Sequence, residues 1–427
     1  MSEQTGATAE PRADGQGCPL LSSASIATTF LSHGSSQLYP VLKNLRDNAP
    51  VSFVRELGLW IVTRYEDVST VLKDARRFPA STRSVIMQGC RPEVRDVLRR
   101  TATFTAPNMG FDGPPDHDRL RSPVAQFFSA RGARRLEPRV RATARRCIAR
   151  LPAEPPVDLV EEYARPLANK VVIDLAGLPA EDYDLIVRHH RAVNDFFFGR
   201  PPEHLRLALA HDVLAWEEYL AGIIARRRSE PGDDLISMLV RKTAEGEADY
   251  SEAELISLIS FDMITAGFRP TSFALVNLFR ELLEEPERWQ RLREEPATFD
   301  AVFNEILRHS GPALGVFRVT AVPVELGGVP VPAGAPLWLV TASANRDERR
   351  FPEPDVHDPG RAHLTSSLHF SQGLHRCLGA NLARTVAREA VTALMRHRPG
   401  LRLIQGQTWQ YEPSINVVAP TRLSATW

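Results

Sequence analysis

The stretch "FDMITAGFRPTSFALVNLFREL", residues 261–282, is apolar almost all the way round and too long for a strand. A run of this kind has to be the buried centre of a helical fold. Arg269 and Pro270 stand in its middle. Proline costs about 3 kcal/mol in a helix interior and arginine is seldom buried without a partner, so whatever surrounds this helix must account for the pair.

Residues 117–310 keep a mainly helical periodicity around it. "VDLVEEYARPLANKVVIDLAGLP" ends in the Gly–x–Pro of a helix terminus, and "SEPGDDLISMLV" marks a break and a restart. Earlier, "LYPVLKNLRDNAP" predicts a helix, "VSFVRELGLWIVTRY" a hairpin around Glu56–Gly58, and "YEDVSTVLKDARRF" another helix. Residues 80–116 hold only a short helical candidate, "RPEVRDVLRR", and read as a long functional loop. Residues 316–342 switch to strands and turns, with Gly327–Gly328 and Ala333–Gly334 as turns. "GANLARTVAREAVTALMRH" is the last helix before a short β-rich end. The expectation is a mainly α fold with a small β portion, as one domain over 23–427. Residues 1–22 are polar, lack the apolar core of a signal peptide and read as a disordered tail.

Basic and acidic residues balance at 52 each, which favours neither nucleic acid nor an anionic membrane as partner. Only Lys43, Lys73, Lys170 and Lys242 among the basic residues are lysines, a bias typical of high-GC bacterial genomes. No run approaches 18 consecutive apolar residues, so no membrane anchor is expected. Cys18, Cys90, Cys147 and Cys377 form no CxxC pair and no disulfide-like spacing, as expected of a soluble cytoplasmic protein.

"HFSQGLHRCLGANLAR" (369–384) puts Cys377 between a glycine-containing loop and a helix start. Gly373 and Gly379 permit a tight backbone path, and the helix directs free N–H groups and its dipole at the sulfur, favouring thiolate. A lone cysteine is more often an inert buried thiol, and Cys147 in "RATARRCIARL" suits that description. Here, however, Phe370, Gly373, His375, Cys377 and Gly379 stand in the pattern F-x-x-G-x-H-x-C-x-G. That pattern resembles the haem-binding loop of the cytochrome P450 family. Its one departure is Ser371, where glycine is common.

Other landmarks of the family follow in order, and the resemblance covers residues 38–427. "NEILR" supplies Glu305 and Arg308, an E-x-x-R pair one helical turn apart. His117 and Arg121 in "PPDHDRLR" and Arg318 in "VFRVT" are similar to the family's haem-propionate ligands, a planar guanidinium suiting a carboxylate. "ANRDERRFPEPDVHDPGR" matches the stretch that leads into the cysteine loop.

The resemblance implies a cytochrome P450 fold. Haem b (iron protoporphyrin IX) would lie between the central distal helix and the cysteine loop, with the Cys377 thiolate as its axial metal ligand. It also implies an oxidoreductase, a monooxygenase tailoring a small secondary metabolite with dioxygen. Electrons would come from a separate ferredoxin and ferredoxin reductase, since no flavin or nicotinamide domain is fused. A substrate held on a carrier protein is compatible with this. Arg119, Arg131, Arg134, Arg135 and Arg376 are candidates for docking an acidic ferredoxin. Family position places the substrate pocket at the 80–116 loop, Phe196, Phe197, Asp262, Met263, Leu314, Val316 and Ile415. Phe196–Phe198 cannot all face one way, so at least one belongs to the core. Arg91, Arg95, Arg99 and Arg100 read as a solvated face ahead of an anion site.

The distal helix departs from the family. Ala266 and Gly267 fit its A-G-x-(acid)-Thr, but Arg269 takes the acid position and Pro270 the alcohol position. Thr271 is one residue late, about 100° further round. Pro270 lacks an N–H, frees the Ala266 carbonyl and bends the helix, so the groove can persist without the proton relay. Arg269 either faces substrate and oxidant or makes a salt bridge pointing away. Arg–Pro resembles the fatty-acid peroxygenase branch, where the arginine binds a substrate carboxylate. Two alternatives therefore stand beside the monooxygenase. One is a peroxide-using or oxidase-type enzyme performing coupling or desaturation; the other is a haem binding or sensing protein with little turnover. Asp262, four residues before Ala266, needs a partner, either Arg269 or a cationic or hydrogen-bonding substrate.

Overall fold

The computed structural model describes residues 22–31, 35–80, 83, 86–87, 89–199, 201–411 and 416–427. Apart from Ser22, the expected tail lies outside the described residues, as do Cys18 and Ile415.

The first hairpin forms where alternation places it. β1 (Val51–Val54) pairs antiparallel with β2 (Leu59–Val62), Val51 and Val54 face inward, and Gly58 closes the turn at φ +65°. α1 (Tyr65–Lys73) follows and buries Val68, Val71 and Leu72 on one face. Within the long loop, the candidate helix is present as α2 (Pro92–Leu98), and a further turn spans Ala102–Thr105. The helical body then runs through α3 (Asp116–Phe128), α4 (Ala130–Ile148), α5 (Arg165–Ala176), α6 (Tyr183–Phe198) and α7 (Glu203–Ser229). α5 stops at Gly177, whose φ of +92° and N–H to the Ile173 carbonyl make the cap the Gly–x–Pro signature calls for.

The central helix is not uniform. A Ser251–Glu254 capping box starts it at Glu252–Ser257. Residues Leu258–Thr265 are π-helical, and α8 (Ala266–Glu284) resumes α geometry with Pro270 inside it. The Thr265 hydroxyl donates to the Ser260 carbonyl five residues back, at 2.9 Å, in keeping with the wider turn. The expected irregularity therefore lies mainly before Ala266 rather than at Pro270. π turns of this kind occur chiefly at functional sites.

After α9 (Phe299–Ser310) come β3 (Val316–Val319) and β4 (Pro336–Leu339). Together with the first hairpin they form a four-stranded sheet in the order β1-β2-β4-β3, with β2 and β4 parallel. Gly327, Gly328 and Gly334 take positive φ in the intervening turns. α10 (Ala380–His397) packs on α4 and the central helix. The main core collects Tyr163, Trp216, Phe268, Phe279, Phe303 and Val391, all close to fully buried. A second core around Trp338 lies under the sheet. No helix among the described residues is long and apolar enough to cross a membrane.

Candidate active site

The cysteine loop is held by its own backbone. The Cys377 N–H donates to the Phe370 carbonyl at 2.9 Å, and Arg376 N–H donates to Gly373 at 3.1 Å. Gly373 sits at φ +70°, and a Cβ there would lie 2.2 Å from the Leu72 carbonyl oxygen at the end of α1. Only glycine fits. Ser371 is also left-handed, at φ +60°; serine here carries strain that a glycine would not. Gly379 differs from expectation. Its φ is −78° and a Cβ would meet nothing within 4 Å, so the backbone path does not require it.

Cys377 retains accessible surface, yet protein mass surrounds it on every side, so that surface is internal to the fold. Burial pushes its thiol up; the N–H groups of Gly379 and Ala380 and the guanidiniums of Arg121 and Arg376 work against burial without overcoming it. The expected helix-terminus effect is present but, for the bare thiol, is the smaller one. A bound metal cation would decide the balance for thiolate. Cys147, by contrast, is a plain core thiol of α4.

His117, Arg121, Arg318 and His375, far apart in sequence, converge beside this loop. The His117 and His375 rings meet edge-on at 5.0 Å, and the charges of Arg318 and Arg121 both bear on His375. Burial pulls Arg318 down to about 10, and its side chain donates to the Phe317 carbonyl. Arg121 donates to the Arg376 carbonyl at 2.6 Å. His375 Nδ1 lies 3.2 Å from the Met109 carbonyl oxygen. Burial, reinforced by Arg318 and His117, lowers His375 to about 3. The Nε2 atoms of both histidines are buried without a partner. The two guanidiniums in this recess are fork donors suited to carboxylates, and the two imidazoles lie beside them with Nε2 unpartnered. Among the described residues no group of three or more His, Cys, Asp or Glu side chains could hold a bare metal ion. An iron on Cys377 would thus need its remaining ligands from an organic cofactor, and the carboxylate-binding recess beside the thiol fits the propionates of haem.

The E-x-x-R pair is the rigid support behind the loop. Arg308 reaches Glu305 through two bonds of 2.7 and 2.8 Å, with both side chains fully buried. Arg308 also donates to the carbonyls of Asn345 and Pro354, while Glu305 accepts from Asp358 N–H and Arg361. Burial opposes ionisation of Glu305, but these hydrogen bonds outweigh it and hold its carboxyl low. Arg361, in the "DVHDPGR" run, is a member that E-x-x-R spacing alone does not reveal.

On the distal side Ala266 is exposed. A Cβ on Gly267 would lie 3.1 Å from Val172 Cγ2, so this glycine sets the approach of α8 to α5. The Arg269 guanidinium lies 5.0 Å from the Phe273 ring and its charge bears on buried His190 of α6. Pro270 and Thr271 are half-buried. The pairing of Asp262 with Arg269 is replaced by other neighbours: Asn108, Arg83 and Arg121 surround the carboxyl, and its Oδ2 is buried without a partner. Burial lifts Asp262 to about 8.

Of the predicted pocket residues, Phe197 stacks between Phe104 and Phe111 and approaches Phe261 at 4.9 Å. Phe196 is buried in a small cluster with the loop, and Met263 belongs to the main core. Leu314 is buried in the second core and its N–H bonds the Asn416 carbonyl, which joins the two segments expected to meet; Val316 lies on β3. Arg83 was not distinguished by the sequence. It donates to the Thr103 and Ala106 carbonyls and pairs with Asp112, organising the loop around the pocket. Arg119 is engaged internally by Asp116 and Glu254 and so drops out of a docking surface. Arg131, Arg134, Arg135 and Arg376 are exposed.

A family model described as Cytochrome P450 matches residues 202–397. A protein named Cytochrome P450 107B1 from Saccharopolyspora erythraea is 36% identical over 353 residues, 82% of this chain and 84% of that protein. Nocardicin C N-oxygenase of Nocardia uniformis subsp. tsuyamanensis is 34% identical, covering 91% of this chain and 96% of its own. Among solved structures, cytochrome P450 CREJ in complex with (4-ethylphenyl) dihydrogen phosphate superimposes with a TM-score of 0.85 at 28% identity, over 91% of this chain and 96% of that one.

Proposed function

The chain belongs to the cytochrome P450 family, and we propose that it is a monooxygenase that tailors a small organic molecule of bacterial secondary metabolism. The observation that carries this reading is the convergence of Cys377 with a recess of guanidinium donors suited to carboxylates. In it, the Cys377 thiolate would hold the iron of haem b, and Arg121 and Arg318, with His117 and His375 beside them, would hold the propionates. Bound there, haem supplies the O–O cleavage chemistry that thiolate ligation favours.

The chain's own residues bind, orient and exclude water. Glu305, Arg308 and Arg361 fix the segment that carries the cysteine loop, so the sulfur keeps its place as substrate and solvent come and go. Phe104, Phe111, Phe197 and Phe261 present an aromatic wall suited to an apolar or aromatic substrate. Reducing equivalents come from a ferredoxin docking near exposed Arg131, Arg134, Arg135 and Arg376. The relatives, an N-oxygenase among them, support oxygen insertion over a binding or sensing role.

The test is spectroscopic. The reduced, carbon-monoxide-bound protein should absorb at the thiolate-haem position, and Cys377→Ala should abolish that band; a band indifferent to the substitution refutes the assignment. Spectral shifts on titration then screen substrates. Comparing turnover driven by ferredoxin with turnover driven by peroxide separates oxygen insertion with dioxygen from the peroxide-using alternative.

A further inference from the structure

Neither residue at the acid and alcohol positions of the distal helix can release a proton near neutral pH. A guanidinium stays charged and proline has no side-chain donor. About two turns earlier, seven residues before Arg269 and within the π-helical segment Leu258–Thr265, stands Asp262. The loop closes directly on this carboxyl: a Cβ added to Gly110 would lie 2.8 Å from Asp262 Oδ1 and 3.7 Å from the Phe261 ring. Asp262 Oδ2 is buried and has no hydrogen-bond partner.

The charged and titratable groups that face it are Arg83 and Asp112 of the loop, Arg121 of α3 and Tyr250 just before the central helix. Each is committed elsewhere. Arg83 binds Asp112 and two carbonyls, Arg121 binds the Arg376 carbonyl, and the Tyr250 hydroxyl donates to Leu120. Asn108 hydrogen-bonds the carboxyl, but Oδ2 is left unmatched; a carboxylate with half its acceptors unmet is disfavoured in such an enclosure, and the group keeps a proton instead. Burial accordingly lifts Asp262 to about 8. An apolar residue would fill the position at lower cost if its role were packing alone.

We propose that Asp262 is the proton-holding group of the distal helix, serving the oxygen chemistry that Arg269 and Pro270 leave without a side-chain acid. The proposal rests on the monooxygenase reading. In turnover the Asp262 O–H bond breaks and the proton passes to reduced dioxygen. The carboxylate takes back a proton from solvent at the Asp112 edge of the loop, where that side chain is 30% exposed. Electrons come from the redox partner, so Asp262 is neither oxidised nor reduced.

The experiment uses the haem-loaded full chain with Asp262→Asn, which removes the acid at similar shape, and Asp262→Glu, which keeps it. Equal haem content in the three proteins checks that each folds. Infrared difference spectra of the wild type should show a protonated-carboxyl band that titrates near 8, absent in Asp262→Asn. Because the folded state holds this proton more tightly than the unfolded chain, wild-type stability should decline as pH rises from about 4 toward 8, and Asp262→Asn should lack that decline. With a surrogate ferredoxin and reductase and no substrate, dioxygen-dependent oxidation of the reduced protein should slow about tenfold or more in Asp262→Asn and recover in Asp262→Glu. A band that survives in Asp262→Asn overturns the proposal, and so does a lost band with unchanged dioxygen consumption. A wild type that carries the band and reduces dioxygen, yet oxygenates none of the substrates found by titration, fails the monooxygenase reading instead.

Discussion

The two faces of the site are built on different terms. The proximal side, the cysteine loop with Glu305, Arg308 and Arg361 behind it, is specified by backbone geometry and fully buried ion pairs. The distal side is specified by side-chain chemistry on a helix that passes from π to α geometry at Ala266. Gly373 admits one residue type because the Leu72 carbonyl lies against it. Position 269, at the rim of α8, holds an arginine over Phe273 where the resemblance leads one to expect an acid. A support fixed by close backbone contact, beside a face set by individual side chains, separates holding the cofactor from choosing its reaction.

The largest expected effect lies in the support. Arg308→Ala leaves Glu305 buried with only part of its compensation and should cost roughly 3–5 kcal/mol in denaturant unfolding. A loss below about 1 kcal/mol would erase the distinction between the two faces. Next come two glycines of the same loop. Gly373→Ala adds a methyl against backbone at positive φ and should cost more than about 2 kcal/mol, with haem content falling in step. Gly379→Ala meets open space at negative φ and should shift stability by less than about 0.5 kcal/mol. Equal effects at 373 and 379 would mean that the loop is not held by the Leu72 contact.

On the distal side the expected change is kinetic. Arg269→Glu with Pro270→Thr should alter the fraction of electrons recovered in product while leaving haem content unchanged. Unaltered coupling would assign the pair to structure. A modest stabilisation is expected of Ser371→Gly, which relieves a left-handed serine and should add about 1 kcal/mol in thermal unfolding. Destabilisation there would show that the serine side chain contributes more than its backbone costs.

Much of the proximal face was legible because its constraints are local. The spacing of Phe370, Gly373, His375 and Cys377 encodes a loop that closes on itself, and Glu305 and Arg308 are neighbours on one helical turn. The hairpin and the cap at Gly177 were legible for the same reason. Arg361 joins Glu305 across 56 residues, and Arg83 binds carbonyls of Thr103 and Ala106 inside a loop without periodicity; neither contact has a sequence signature. The π-helical run at Leu258–Thr265 was invisible because these residues are almost all buried, so no apolar stripe marks the change of register. Asp262 stood out only as an acid in apolar company, and its neighbours come from Gly110 and Asn108 in a loop whose course the chain alone did not give.

The contact between His375 Nδ1 and the Met109 carbonyl spans 266 residues and ties the loop over the substrate side to the loop that carries the cysteine. A carbonyl can only accept, so while the contact holds, the ring proton must reside on Nδ1 and Nε2 is a bare acceptor. If the loop lifts away from Met109, the imidazole is free to adopt its other tautomer and turn Nε2 into a donor. Mechanical movement on the substrate side thereby becomes the relocation of a single proton at the edge of the cofactor recess.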